Sequence, residues 1–291
     1  MALFACIFVP DFPVAALLRA EPELRSQLVA VLEGKSPLQK VFALNEKARA
    51  AGIEVGMTRL QVEACTEVVL RPRSAAQEAA AHAALLDCAQ SFSPRVEDTG
   101  TDTVVLDLAG LEQLFGPPPK IAPGIARRVS DLGLEANVAV AANPDTAVLA
   151  ALGFSGVTII SEGTEAEQLG SLPLDVLFAT TQLGFERARL SAAPFQNSNT
   201  RSMFLDAAQY LETFERWGIH NLRALAALPE AALSERLGQE GVFLQKLARG
   251  ATSRRLVPVE PPLVFEEAIE LEHPLMLLEP LAFLLARLLE Q

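Results

Sequence analysis

Apolar and polar positions along this chain switch repeatedly between a strand rhythm and a helix rhythm. Leu3–Val9 is a continuous apolar run that stops at Pro10, the pattern of a buried strand. Pro13–Arg25 then spaces Val14, Leu17, Leu18 and Leu24 along one helical face. Leu28–Leu32 and Lys40–Leu44 predict two further strands, joined by the turn-forming Glu33–Pro37. Asn45–Ala51 and Arg59–Ala64 predict short helices around the loop Gly52–Met57. A strand at Glu67–Leu70 and a long Ala-rich helix at Ala75–Gln90 follow. Thr103–Leu108 reads TVVLDL, a β-branched run bounded by turn-formers, and is the central strand prediction.

After that strand the pattern predicts an amphipathic helix at Ile121–Leu132 and an alternating strand at Leu134–Ala142. A helix follows at Asn143–Gly153, with Asn143 as N-cap and Pro144 in its first position, and a last strand at Val157–Ile160. The minimum consistent core is a sheet of the strands near 3–9, 103–108 and 136–142, backed on one face by the helices near 75–90 and 121–132. From Thr164 the pattern is helical. Residues 179–204 are rich in Ser, Thr, Asn and Gln and poorly periodic, as in an exposed loop or insertion. Residues 211–228 then place Gly218 and Ile219 between two short amphipathic helices, a helix–hairpin–helix arrangement, with further helices at Pro229–Leu237 and Gly241–Ala248.

Composition narrows the function classes. The chain has 291 residues, half of them hydrophobic, enough for a sizeable core and two or more domains. Its net charge of −12 argues against one large basic surface but leaves room for local phosphate contacts. Residues 260–291 hold seven Glu against Arg287 alone, whereas residues 211–259 hold seven Arg and Lys against five Glu, so the second segment is the better nucleic-acid candidate. Cys6, Cys65 and Cys88 are odd in number and widely spaced, which supports neither a disulfide framework nor a zinc site. The N-terminus reads as a strand rather than a signal peptide, and Leu275–Leu289 is too interrupted to span a bilayer. A cytoplasmic location is the expectation.

Candidate chemistry concentrates in Ser91–Gly116, where Glu97, Asp98, Asp102 and Asp107 lie just before and within the central strand. A carboxylate at the mouth of a buried strand suits a divalent-metal ligand; the plainer alternative is an acidic turn between two strands. His82, His220 and His273 have no partner evident from sequence. At the hairpin, Gly218 and Ile219 could offer backbone amides to a phosphate, assisted by Arg249, Arg254 and Arg255.

Five stretches in this order resemble the Y-family (DinB/UmuC-type) translesion DNA polymerases. Residues 51–65 (AGIEVGMTRLQVEAC) resemble the fingers segment of that family, and 92–110 (FSPRVEDTGTDTVVLDLAG) its palm motif. Residues 138–152 (VAVAANPDTAVLAAL) are similar to its S-x-GIa-x-NK-x-LAK motif, 217–250 to its thumb, and 265–289 to the start of its little finger. The resemblance implies an α+β fold: a ferredoxin-like palm sheet with a helical layer (1–12 and 74–163), small fingers (13–73), an all-helical thumb with the helix–hairpin–helix (164–256), and an incomplete little finger (257–291).

The same resemblance implies three carboxylates holding two Mg²⁺, and here the chain departs. Pro10 stands at the first metal position and Phe12 at the second Asp of that segment, with Asp11 one place off. Asp102 matches the Asp of the palm DE pair, but Thr103 replaces the Glu, and Asp107 matches a later Asp that is not a ligand. Of the triphosphate clamp Tyr-x-x-Arg only Arg49 remains, in Glu46-Lys47-Ala48-Arg49, and Pro144 and Val148 stand where lysines are expected.

Such losses resemble the ImuB-type subgroup, degenerate relatives that act as adaptors. That implies primer–template DNA, an error-prone polymerase, the sliding clamp and an ImuA/RecA-like protein as partners, in SOS-type translesion synthesis, with no cofactor expected. Two other readings stay open. One is an active polymerase using Mg²⁺ at a site rebuilt from Asp11, Asp98 or Glu97 with Asp102; the other is a truncated remnant. The expectation for Asp102 is a solvent-facing carboxylate that binds metal weakly or not at all. Residues 168–174 (QLGSLPL) are superficially clamp-like but read better as a helix end.

Overall fold

The structure, a computed structural model, describes residues 3–65, 67–179, 207–259, 278 and 281–284. Its centre is β1 (Phe4–Phe8), flanked on both sides in a five-stranded sheet of order β5-β6-β1-β7-β8. The partners are β5 (Val96–Gly100), β6 (Thr103–Asp107), β7 (Asn137–Ala141) and β8 (Val157–Ile159). β1 runs antiparallel to both neighbours, so Phe8 sits opposite Thr103 on one side and Asn137 on the other. β5 and β6 form a hairpin, and β8 extends the sheet in parallel with β7. The order of β5, β6, β1 and β7 is that of a ferredoxin-like sheet, as the family resemblance implies.

Side chains alternate faces along each strand, so one sheet serves two cores. Ala5, Ile7, Val9, Val104, Leu106, Val138 and Val140 face α1 (Phe12–Ala20), α4 (Ala75–Phe92) and α6 (Pro118–Asp131), the last preceded by the single-turn α5 (Glu112–Phe115). Cys6, Val105, Ala139 and Ala141 face the other way, onto α7 (Pro144–Gly153) and a helical core that includes Leu169, Phe214, Leu222 and Leu247. The layer expected on one face therefore has a counterpart on the second.

A three-stranded sheet of order β3-β2-β4 is inserted between β1 and α4, made of β2 (Val29–Glu33), β3 (Lys40–Leu44) and β4 (Val69–Pro72). With it are the short helices α2 (Glu46–Ala50) and α3 (Arg59–Cys65). The helix expected over Pro13–Arg25 stops at Ala20 and resumes as a 3₁₀ turn at Pro22–Ser26, because proline lacks an amide and disfavours helix at the residue before it. β5 was not anticipated as a strand: its VEDTG sequence reads as an acidic turn, yet it lies mostly buried beside β6.

Beyond β8 lie α8 (Glu165–Leu169), then α9 (Ala207–Arg216), α10 (Leu222–Ala226) and α11 (Glu230–Ala248), the last broken at Gly238 as the two separate patterns predicted. Leu169, Leu172 and Leu174 are buried, so the 168–174 stretch is a packed helix end rather than a displayed peptide. Most of the predicted insertion at 179–204 falls outside the described residues. Residues up to 259 form one compact unit and 260–291 a second, of which 281–284 are helical, with Leu281 and Phe283 exposed. Among the described residues no helix is long and apolar enough to cross a membrane.

Candidate functional site

The β5–β6 hairpin carries Asp102 to the end of β1. The amide of Val9 donates to the Asp102 carbonyl at 2.9 Å, which fixes the turn against the strand bearing Pro10 and Asp11. The Asp102 side chain is half-buried rather than solvent-facing as expected, and its Oδ1 accepts the Thr103 hydroxyl at 2.8 Å. Thr103 itself has no exposure. Pro10 is exposed and its side chain carries no ligand atom, while Phe12 is buried among the helices of the first core.

The other acids near this turn each meet a basic side chain of the chain itself. Asp11, in a left-handed conformation (φ 46°), pairs with Arg49 at 2.7 Å, so the arginine that the family resemblance assigns to a triphosphate clamp is turned onto a carboxylate of the chain. Both side chains are substantially exposed, and the pair contributes about 0–1 kcal/mol at most. Asp98 accepts His82 Nε2 at 3.2 Å, while His82 Nδ1 lies 2.9 Å from the Thr101 carbonyl. Both ring nitrogens face acceptors, so the imidazolium is favoured, and the hydrogen bond to Asp98 raises the His82 pKa despite partial burial. His82 thus has the partner its sequence context did not disclose. Asp107 accepts the Ala109 amide at 2.9 Å and pairs with Arg95 at 2.7 Å, closing the far end of β6.

Glu97 is fully buried on β5, and Asp145, in the first turn of α7, is nearly so. Arg254 bridges them: its Nη1 lies 2.8 Å from Glu97 Oε2 and its Nε donates to Asp145 Oδ1. Burial alone would lower the Arg254 pKa, but the two carboxylates outweigh it and hold the group above its usual value. Cys6 lies beneath this cluster, its thiol pKa pushed far up by burial and then by the Asp102 carboxylate. Arg254 lies far from both acids in sequence, so no local pattern signals the cluster.

These residues do not fit a two-metal centre. Divalent ions of the magnesium class need several oxygen ligands converging within about 2.1 Å of one point. Among the described residues no three His, Cys, Asp or Glu side chains are grouped to hold a metal ion. The two buried acids that do converge share a guanidinium instead. An open cavity of about 390 Å³ lined by Phe92, Phe115, Arg127, Arg128 and Asp131 lies at the opposite end of β6 from Asp102.

The hairpin residues are also engaged within the chain. Gly218 adopts φ 72° and closes the preceding helix, its amide donating to Glu215 O and that of Ile219 to Phe214 O, both at 2.9 Å. The amides of Leu222 and Arg223, which begin the next helix, donate to Leu172 O and Gly170 O. Arg249 donates to the carbonyls of Ala226 and Leu228, capping α10 and its following turn. Gly218, Ile219, Arg249 and Arg254 therefore do structural work that the phosphate-contact expectation did not foresee. Arg255 is exposed.

Fold and site together define an α+β protein built on a ferredoxin-like sheet, with two of its buried acids sharing one guanidinium. Comparison with known proteins places it more closely. Residues 7–151 match the impB/mucB/samB family model, so this region of the chain is a Y-family DNA polymerase-type domain. It is 30% identical over 162 residues to a protein named DNA polymerase IV 2 of Mesorhizobium japonicum, covering 54% of this chain and 38% of that one. It is 26% identical over 216 residues to Protein ImuB of Caulobacter vibrioides, covering 74% and 41%. The chain spans less than half the length of either relative. In fold it resembles DinB from Sulfolobus solfataricus, with a TM-score of 0.64 at 16% identity, covering 87% of this chain and 69% of that one.

Proposed function

We propose that this chain is a non-catalytic Y-family protein, acting as a DNA-binding or adaptor component of translesion synthesis in a cytoplasmic, SOS-type repair response. One observation carries the reading: Asp11, Glu97, Asp107 and Asp145 are each paired with an arginine of the chain, and Asp98 with His82. Two-metal nucleotidyl transfer needs carboxylates available to fix both ions and neutralise the developing charge. Pro10 and the buried Thr103 supply none at the positions where the family resemblance asks for them. Primer–template DNA is the proposed ligand, with Arg255 among the phosphate contacts. An error-prone polymerase, the sliding clamp and an ImuA/RecA-like protein are the proposed partners, a reading that the likeness to an ImuB protein favours.

Primer extension with Mg²⁺ or Mn²⁺ tests this directly. The expected result is binding of primer–template without extension. Template-dependent extension that disappears in Asp102→Ala would establish the competing reading, an active translesion polymerase with a rearranged metal site.

A further inference from the structure

The chain from Gly250 to Val259 has no regular secondary structure, yet it is pinned to the five-stranded sheet and to α7 along its length. Gly250 enters under constraint: at φ 63°, an added Cβ would stand 2.5 Å from Glu165 Cβ and 2.8 Å from Thr146 Oγ1. Its carbonyl accepts Asn143 Nδ2 at 2.9 Å, tying it to the residue that caps α7. Arg254 follows, then Leu256, which is buried in the second core. The Val257 amide donates to Glu97 Oε2 at 2.7 Å, and the Val259 amide to the Val96 carbonyl at 2.7 Å. The edge strand β5 thus receives two backbone amides from this segment, one at the side chain of its buried glutamate and one at the carbonyl of the residue before it.

Glu97 and Asp145 are built to receive a planar cation. Their side chains are 1% and 10% exposed, and Thr99 Oγ1 donates to the second Glu97 oxygen at 3.1 Å, orienting the carboxylate. Arg254 addresses the two acids through different nitrogens of one fork, a geometry a single ammonium cannot reproduce. Two buried carboxylates without that cation would repel each other across a poorly solvated space.

We propose that Glu97 and Asp145 form a guanidinium-binding pocket, filled in cis by Arg254, and that this clasp holds residues 250–259 closed over the Cys6 face of the sheet. The clasp fixes where the chain leaves the first compact unit and keeps the buried acids from any external cation. It stands independently of the DNA-binding reading, because it concerns only contacts within the chain.

The test uses the whole chain as wild type, Arg254→Ala and Arg254→Lys. Amide exchange in 250–259 and alkylation of Cys6 are both followed by mass spectrometry. In Arg254→Ala both should accelerate by at least about tenfold, while exchange in the three-stranded sheet stays at the wild-type rate. Low-millimolar guanidinium should slow both again, sodium at the same ionic strength should not, and Arg254→Lys should fall between. Should Arg254→Ala fail to fold, Arg254→Gln keeps the side-chain bulk and gives the same comparison. Rates within about twofold of wild type, or a uniform acceleration that guanidinium leaves unchanged, would overturn the clasp.

Discussion

Thr103→Glu restores the residue that the family resemblance asks for, and the structure makes it a sharp test of whether a metal pocket survives. Thr103 has no exposure, stands opposite Phe8, and gives its hydroxyl to Asp102. Glutamate adds two heavy atoms to a filled space, which by itself costs about 1–3 kcal/mol. It also places a second carboxylate beside that of Asp102 at a site with no exposure, a buried like-charge pair that, left uncompensated, costs about 3–5 kcal/mol. The group can escape part of this by staying protonated, so the two costs do not simply add. A net loss of about 3–5 kcal/mol is the expectation, or about 6–20 °C in the melting midpoint for a unit of this size. The sign of the pH dependence follows. A glutamate whose folded pKa is raised destabilises most where the unfolded chain is ionised, so the deficit should shrink as pH falls from about 8 to about 5. Thermal unfolding with and without Mn²⁺ is the assay. A Thr103→Glu protein as stable as wild type, or one whose stability Mn²⁺ restores, would show that the carboxylate pocket is still open and the reasoning wrong.

Other expectations concern single contacts. The His82–Asp98 pair has a raised folded pKa, so its stabilisation should be complete below about pH 6.5 and fade as pH rises through the folded value; an NMR titration of the His82 ring and the loss of that pH dependence in His82→Gln check this. Phe214 is fully buried between Tyr210 and Trp217, so Phe214→Ala should cost about 3–5 kcal/mol, read from the fluorescence of the chain's one tryptophan. Arg255→Ala should weaken binding to DNA of any sequence and reduce the salt slope by about one, without altering stability. Arg249→Ala should instead lower stability, by about 1–3 kcal/mol for the carbonyls it leaves uncapped.

The parts of the fold legible in the sequence are those whose information is local. β1, β6 and β7 are runs of apolar and β-branched residues, and α7 announces itself through Asn143 and Pro144, whose capping bond to the Thr146 amide is present at 2.8 Å. β5 was hidden because its acids mimic a turn, and they are tolerable in a buried strand only through cations from elsewhere. Arg254 is 157 residues from Glu97 and 109 from Asp145, and no spacing rule connects residues so far apart. The hairpin at Gly218 was visible as a turn. That its neighbouring helix start is satisfied by Gly170 and Leu172 depends on how the chain returns to that place. Local pattern predicted where the site residues stand; what they bind was decided by packing.

The account's central claim is that no divalent-metal site survives around Asp102, because the acids beside it on the five-stranded sheet and at the start of α7 are paired within the chain. A titration with Mn²⁺, followed by electron paramagnetic resonance on wild type and Asp102→Asn, tests it most directly. The account predicts no site of millimolar or tighter affinity that depends on Asp102. A millimolar or tighter Mn²⁺ site in wild type that is lost in Asp102→Asn would contradict it.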